Sequence, residues 1–94
     1  MTASEELHQA VVLTPGPWAT AGWETRTALL ARCRAGAHTA YAAPLLDSTG
    51  ELLRWQWWVE SYARPVGDNL AGTAADALSD ANELLRALPM RWPA

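Results

Sequence analysis

The residues best suited to catalysis are two histidines and one cysteine, and their surroundings favour structural roles. His8 and His38 have no second ligand at the spacing that metal sites require. Cys33 lies between Arg32 and Arg34, and cationic neighbours lower the pKa of a thiol and make it nucleophilic. We nevertheless predict a buried, unreactive thiol, because free cysteine is among the residue types most often found in protein interiors.

A second arrangement with chemical potential is His38 opposite Glu60, which could act as a general acid and base on neighbouring strands. A charge pair on a solvated sheet face is the favoured interpretation. The patterns CxxC, HExxH, GxSxG, GxGxxG and the P-loop are all absent. We therefore predict a protein that is not an enzyme, with no catalytic residue, no cofactor and no bound metal ion.

The most informative segment is residues 52–62, which contains three closely spaced tryptophans. If this segment is a strand, neighbouring side chains point to opposite faces of the sheet. Trp55 and Trp57 then share one face, and Trp58 lies on the other beside Arg54 and Gln56. We predict that Trp55 and Trp57 fill the core and that Trp58 stands on an outer face, where the core does not need it.

This outer tryptophan predicts a binding surface, because a tryptophan bordered by arginines is typical of the hot spots of protein interfaces. The predicted partner-binding residues are Trp58, Arg32, Arg54, Arg34, Gln56, Arg26 and Leu30. The competing interpretation is that residues 1–20 fold over this face and bury Trp58.

The segment between residues 23 and 62 is predicted to be an antiparallel sheet of three strands, covering 23–33, 38–46 and 52–62. The sequence Asp-Ser-Thr-Gly at 47–50 matches a type I turn whose glycine takes the left-handed position of a hairpin loop. A proline at position 44 conflicts with a central strand, since proline donates no ladder hydrogen bond. Either the first strand ends before reaching Pro44, or the strand order differs.

Loops of three residues at both hairpins would bring odd-numbered positions together on the core face. The resulting predicted core consists of Leu29, Ala31, Cys33, Thr39, Tyr41, Ala43, Leu45, Leu53, Trp55, Trp57 and Val59. The outer face would then hold cross-strand rows such as Arg34, His38 and Glu60, and Arg32, Ala40 and Trp58.

The carboxy-terminal part is predicted to form one amphipathic helix within residues 68–88. Thr73 and Asp76 have capping-box spacing, and Asp68 is the alternative cap. Residues 1–7 are predicted to be a polar lead, with one helical turn as the alternative. Val11 to Leu13 are a candidate strand, which leaves a fourth strand open, and residues 89–94 are a predicted tail. The predicted fold class is α+β: a two-layer domain with a three- or four-stranded antiparallel sheet followed by one helix on one face.

Length and composition limit the function classes. Ninety-four residues make one domain (1–94), and a formal charge of −3 does not indicate a nucleic-acid mimic or a histone-like binder. The arginines at 26, 32 and 34 and the acids at 68, 76, 80 and 83 predict an electrically two-sided molecule. A single cysteine and the lack of an apolar span favour a cytoplasmic protein with no membrane contact.

We therefore expect a non-enzymatic protein-protein interaction module that acts by stoichiometric binding, as an adaptor or as an inhibitor of a larger protein or nucleoprotein. Antitoxins and phage-encoded inhibitors of host defence are proteins of this type. A second copy of the chain, forming a homodimer, is another partner that the sequence leaves open. The alternative function is nucleic-acid binding through the three-stranded sheet, which a sequence pI of about 5.2 disfavours.

Overall fold

The computed structural model describes residues 1–89. The elements are α1 (Ala3–Leu13), β1 (Trp23–Thr27), β2 (Leu30–Ala35), β3 (His38–Leu46), β4 (Leu52–Ser61), β5 (Arg64–Ala71) and α2 (Ala74–Ala87). The strands form one five-stranded antiparallel sheet in the order β1-β2-β3-β4-β5. The predicted α+β class with an antiparallel sheet is confirmed, but the molecule has more strands than predicted and a second helix, since α1 precedes the strands in the chain and α2 follows them.

Helix α1 replaces the predicted polar lead and the candidate strand at Val11 to Leu13. A capping box begins it, in which the Thr2 hydroxyl accepts from the Glu5 amide at 3.1 Å and the Glu5 carboxylate accepts from the Thr2 amide at 3.2 Å. Leu7 and Ala10 are its buried residues, whereas Leu13 is 80% exposed. Val12 and Leu13, at the carboxy-terminal end of the helix, are apolar but exposed, so the hydrophobic residues of this segment do not show a clear helical period in the sequence.

Two further boundaries differ from the prediction. A turn at residues 28–29 divides the predicted strand 23–33 into β1 and β2. Strand β5 occupies residues that were expected to be a turn and the beginning of the helix. It is an edge strand with few buried side chains, so the alternation that marks a half-buried strand is missing from its sequence.

Helix α2 begins at the predicted cap Thr73, whose hydroxyl accepts from the Asp76 amide at 3.1 Å. The predicted range 68–88 therefore starts too early, and Asp68 belongs to β5. The apolar stripe of α2 is buried, with Leu78 and Leu85 fully inaccessible. Residues 90–94, which belong to the predicted tail, lie outside the described part of the chain.

Both helices cover the same face of the sheet. Leu7 of α1 and Leu78 of α2 belong to one core cluster together with Trp55. Asn82 of α2 ties this layer together, because its carboxamide accepts from the Trp23 indole at 2.9 Å and donates to the Pro15 carbonyl at 2.9 Å. The interpretation that residues 1–20 cover the outer face is therefore wrong.

The register of β3 differs from the prediction for two local reasons. The β2–β3 loop contains two residues rather than three, so Ala35 pairs with His38. The predicted Asp47–Gly50 turn does form, with Gly50 at φ +87°, but Leu53 is an extra residue in β4 beyond it. This bulge shifts the pairing of the two strands by one residue.

Because of this shift, the side chains of β3 that face the core are the alternate set to the one predicted. Its even-numbered residues up to Ala42 are buried, namely His38, Ala40 and Ala42, and its odd-numbered residues lie on the outer face. The predicted inward positions of Thr39, Tyr41, Ala43 and Leu45 are therefore wrong. Leu29, in the β1–β2 turn, and Leu53, at the bulge, are exposed as well.

The predictions for β2 and β4 are confirmed at their core positions. Ala31, Cys33, Trp55 and Val59 are fully buried, and Trp57 is 8% exposed. Of the two predicted ways of accommodating Pro44, the structure shows the one in which the first predicted strand does not extend alongside the proline. The pairing of β2 with β3 ends at Ala31 and Ala42, so no β2 residue is paired with the proline.

Candidate protein interface

Strand β4 places neighbouring indole rings on opposite faces of the sheet. Its burial alternates along residues 55–61, with Trp55, Trp57 and Val59 buried beneath the helices. Trp58 is only half-buried and lies on the face that neither α1 nor α2 covers. The zigzag backbone on which the predicted binding surface depends is therefore present.

Trp58 stacks on Tyr41 of the neighbouring strand. The two ring centroids lie 5.2 Å apart and the ring planes differ by 17°. Tyr41 reaches this position only because β3 is turned over relative to the predicted register. The stack makes a rigid aromatic platform on the outer face, with more apolar area than one tryptophan provides.

This platform is the centre of a row of side chains that crosses all five strands. Backbone pairing aligns Glu24 with Arg32, Arg32 with Tyr41, Tyr41 with Trp58, and Trp58 with Asp68. We call these five residues the central row. The predicted row of Arg32, Ala40 and Trp58 is corrected at its middle member, since Ala40 is fully buried on the core side.

The arginine of the central row is held in place by an ion pair. The Nη2 and Nε atoms of Arg32 donate to Oε1 of Glu24 at 2.6 and 3.0 Å. The hydrogen bond to Arg32 holds the pKa of the Glu24 carboxyl below its usual range, with smaller contributions from the charges of Arg26 and Arg34. A guanidinium bound along its edge keeps its flat face free to stack on a ring.

Two flanking rows complete the outer face. On one side of the central row, pairing aligns Arg34 with Thr39 and Thr39 with Glu60. His38, which the prediction placed in this row, lies on the core side. On the other side, pairing aligns Ala43 of β3 with Gln56 of β4 and Gln56 with Leu70 of β5. Leu30 continues the alternation of Arg32 and Arg34 along β2 toward this row.

A shallow groove of about 370 Å³ runs beside the platform between β4 and β5. Its lining residues are Gln56, Trp57, Trp58, Asp68, Asn69 and Leu70. Leu70 is 49% exposed, so the groove has one apolar wall and, at Asp68, one charged wall. A protein side chain that contacts Trp58 would enter here.

The structure brings most of the predicted binding residues onto this face. Trp58, Arg32, Arg34 and Gln56 lie within three adjacent rows, and Leu30 continues their alternation on β2. Arg54 lies farther along β4, opposite Leu45, toward the hairpin tip. Arg26 is exposed on edge strand β1, at its register shift.

Sequence reasoning placed Tyr41, Thr39 and Ala43 in the core rather than on this face. It predicted Glu60 on the outer face, but it did not include Glu24, Glu60 or Asp68 among the binding residues. Glu24 could have been included from the sequence. It follows Trp23 on the same strand, so if the tryptophan faces the core, the carboxylate lies on the outer face. Asp68 carried no such signal, because β5 itself was not predicted.

Two of the candidates for chemistry, Cys33 and His38, are buried on the opposite side of the sheet, whereas His8 is exposed on α1. Burial raises the pKa of the Cys33 thiol to about 11, and the charge of Glu24 adds to the effect. His38 and Ser61 are 1% and 5% exposed, and their Nδ1 and Oγ atoms lie 2.8 Å apart. The Nε2 atom of His38 donates to the Pro89 carbonyl, so the imidazole joins β3, β4 and the end of α2.

These positions correct the proposed pairing of His38 with Glu60. The imidazole faces the core, and Glu60 faces outward opposite Thr39. The hydroxyl of Ser61 and the imidazole resemble a nucleophile with its base, but their burial gives a substrate no access. Their geometry is that of a satisfied polar pair in the core.

Within residues 1–89, no three histidine, cysteine, aspartate or glutamate side chains are grouped so that they could hold a metal ion. In the same part of the chain, neither helix has the length and apolar character needed to cross a bilayer. Comparison of the chain with models of known protein families, with curated protein sequences and with solved structures finds no match.

Proposed function

We propose that this protein is a non-enzymatic interaction module that acts by stoichiometric binding to a protein partner through the outer face of its sheet. The observation that supports the proposal best is the Trp58–Tyr41 platform on a face that the helices leave open. Aromatic residues at the centre of a patch, surrounded by arginine and polar side chains, match the composition of protein interfaces.

An adaptor or an inhibitor of a larger protein, such as a phage-encoded anti-defence protein, would use such a face as its working surface. The cellular location that we propose together with this function is the cytoplasm. Cys33 is a free buried thiol, and reducing compartments keep cysteines in that state.

Nucleic-acid binding through the sheet is the alternative function. The stacked platform and nearby arginines favour it, since bases stack on aromatic rings. Glu24, Glu60 and Asp68 lie among the arginines on the same face, however, and Glu24 already neutralises Arg32. Phosphates would meet these carboxylates at close range, so a protein partner is the better fit.

The proposal predicts that Trp58→Ala and Arg32→Ala each abolish partner binding. Truncation of a central interface tryptophan typically costs about 2 kcal/mol or more, which lowers affinity about 30-fold. The measurement is affinity capture from the native cell followed by mass spectrometry, with purified partners then titrated calorimetrically. Matched controls are Leu13→Ala and Arg86→Ala, which remove an exposed leucine and an exposed arginine from the helical layer.

Equal capture of the same partners by wild type and Trp58→Ala would remove the outer face as the working surface. A mobility-shift assay with duplex and single-stranded DNA and RNA tests the alternative. Binding that weakens steeply with added salt would favour nucleic acid over protein as the partner.

A further inference from the structure

The charges on the outer face are distributed unevenly from one edge of the sheet to the other. Strand β2 contributes Arg32 and Arg34, whereas Glu60 on β4 and Asp68 on β5 make the opposite half negative. Strand β3 divides the two halves and carries only uncharged residues on this face, including Thr39 and Tyr41. Glu24 on β1 and Arg54 on β4 carry the opposite sign to the rest of their halves, but Glu24 is paired with Arg32 and Arg54 lies toward the hairpin tip, beyond the three rows. Within the three rows the face therefore has a net positive half and a net negative half about its central strand.

Such a pattern is complementary to itself under one particular symmetry. A two-fold axis parallel to the strands and lying over β3 packs two copies face to face. It keeps each row opposite the same row and reverses the strand order, so that β2 of one copy meets β4 of the other. An axis across the strands would instead place β2 over β2 and bring arginines together.

We infer that the partner of this face is a second copy of the chain, bound through a two-fold axis parallel to β3. Each Arg34 then meets Glu60 of the second copy, and each Arg32 stacks over Trp58 of the second copy. One ion pair and one cation–π contact result, and the two-fold axis makes each of them twice. The inference rests on the proposed function and names the protein that the interaction surface binds.

The exposure and the existing contacts of Arg34, Glu60 and Arg32 support this arrangement. Arg34 is exposed and Glu60 half-exposed, and among residues 1–89 neither forms an ion pair within its own chain. Arg32 is already fixed by Glu24, so its guanidinium loses little side-chain entropy on stacking. The two Tyr41 rings meet near the axis and join the two tryptophans in one apolar centre.

One contact in the arrangement is unfavourable. Glu24 at one edge of the central row approaches Asp68 at the opposite edge of the second copy. The repulsion is small, because Arg32 pairs with Glu24 and Arg26 lies on the same edge strand. Facing sheets also pack at about 30° to each other, which separates their corners.

The area of the face is sufficient for a specific dimer. Five strands about 4.8 Å apart and three rows about 6.8 Å apart make a face of about 500 Å². Burial on both copies removes about 1,000 Å² from water, which is the lower range of specific interfaces. We therefore expect a reversible dimer with a dissociation constant in the micromolar range, about 1 to 100 µM.

The test uses charge reversal at the predicted ion pairs. Sedimentation velocity over about 1 to 500 µM should show wild type passing from monomer to dimer. Arg34→Glu and Glu60→Arg should each weaken the dimer about tenfold or more, because two attractions become two repulsions. The double variant Arg34→Glu/Glu60→Arg should restore dimerisation, and Arg86→Glu on the helical layer is the control.

Mixing the two single variants gives the sharpest result. Each variant alone should dimerise about tenfold or more weakly than wild type, whereas an equimolar mixture should form a heterodimer in which both contacts are again attractive. Circular dichroism confirms that each variant is folded. A wild type that stays monomeric at every concentration, or a mixture that stays monomeric, overturns the inference; loss of capture of other proteins by Trp58→Ala would then still support the proposed function.

Discussion

At the scale of single residues, the position of Cys33 decides the chemistry of its thiol. Arg32 and Arg34 precede and follow it in the sequence, but both point to the outer face, whereas the sulfur lies among buried residues. Burial disfavours the thiolate and outweighs any effect of the two cations. The pKa of the thiol rises to about 11 for this reason.

We predict that the stability of the protein falls between about pH 9 and pH 11. The unfolded chain loses the thiol proton first, so the contribution of the buried thiol is complete below the unfolded pKa and is lost as pH rises toward the folded one. The loss is on the order of 2 kcal/mol. Urea unfolding across this range measures it.

The control is Cys33→Ala, which lacks the ionising group and should show a flatter dependence on pH. Thiol reagents at pH 8 should modify wild type slowly when folded and rapidly in denaturant. Fast modification of the folded protein would show that the thiol is accessible.

At the scale of elements, the bulge at Leu53 determines which face β3 presents. Leu45 pairs with Arg54 and Leu46 with Leu52, so Leu53 is the residue without a partner across the hairpin. Its side chain is 64% exposed, which indicates that the fold gains little from burying it. The extra residue nonetheless aligns Tyr41 with Trp58 rather than with a core position.

We predict that deletion of Leu53 is tolerated, whereas deletion of Gln56 is not. Removing Leu53 leaves the pairs Leu45–Arg54 and Leu46–Leu52 in a regular ladder, so the free energy of unfolding should change by no more than about 1 kcal/mol. Removing Gln56 reverses the face of every residue on one side of the deletion. Thermal unfolding and near-ultraviolet circular dichroism of both deletions measure the effect.

Equal destabilisation by the two deletions would contradict this account of the bulge. A matched insertion provides the control. An alanine inserted after Gln56 should be as damaging as its deletion, because either change shifts the alternation of the tryptophans by one residue.

At the scale of the whole molecule, the helices cover one face of the sheet and leave the other open. Side chains on the two faces of β4 therefore contribute differently to the free energy of unfolding. Trp57 lies beneath the helices and is 8% exposed, whereas Trp58 is half-buried against Tyr41 alone among aromatic rings within residues 1–89. The two residues are adjacent and chemically identical. Their environments alone distinguish them.

We predict that Trp57→Ala lowers the free energy of unfolding by about 3 to 5 kcal/mol, because it leaves a cavity in the core. Trp58→Ala should cost about 1 to 2 kcal/mol, from the lost stacking and partial burial. Urea unfolding at a protein concentration below the dimer range compares them. A cost for Trp58→Ala equal to that of Trp57→Ala would place Trp58 in the core.

The local patterns of the sequence determined which segments form the hairpin turn at 47–50, the strand that contains the tryptophans, and the cap of α2. They also determined that Trp58 opposes Trp55 and Trp57, because alternation along a strand is a property of the backbone alone. The proposed partner-binding residues on β2 and β4 follow from the same alternation.

Tertiary structure decided which residues share a face across strands. A two-residue loop before β3 and one bulge in β4 set the register of β3. A register error of one residue at either place exchanges the two faces of β3. Edge strand β5 and helix α1 depend on neighbours for their stability, so their own sequences carry weak periodicity. The Trp58–Tyr41 stack and the row that crosses the sheet therefore exist only after the strands have paired.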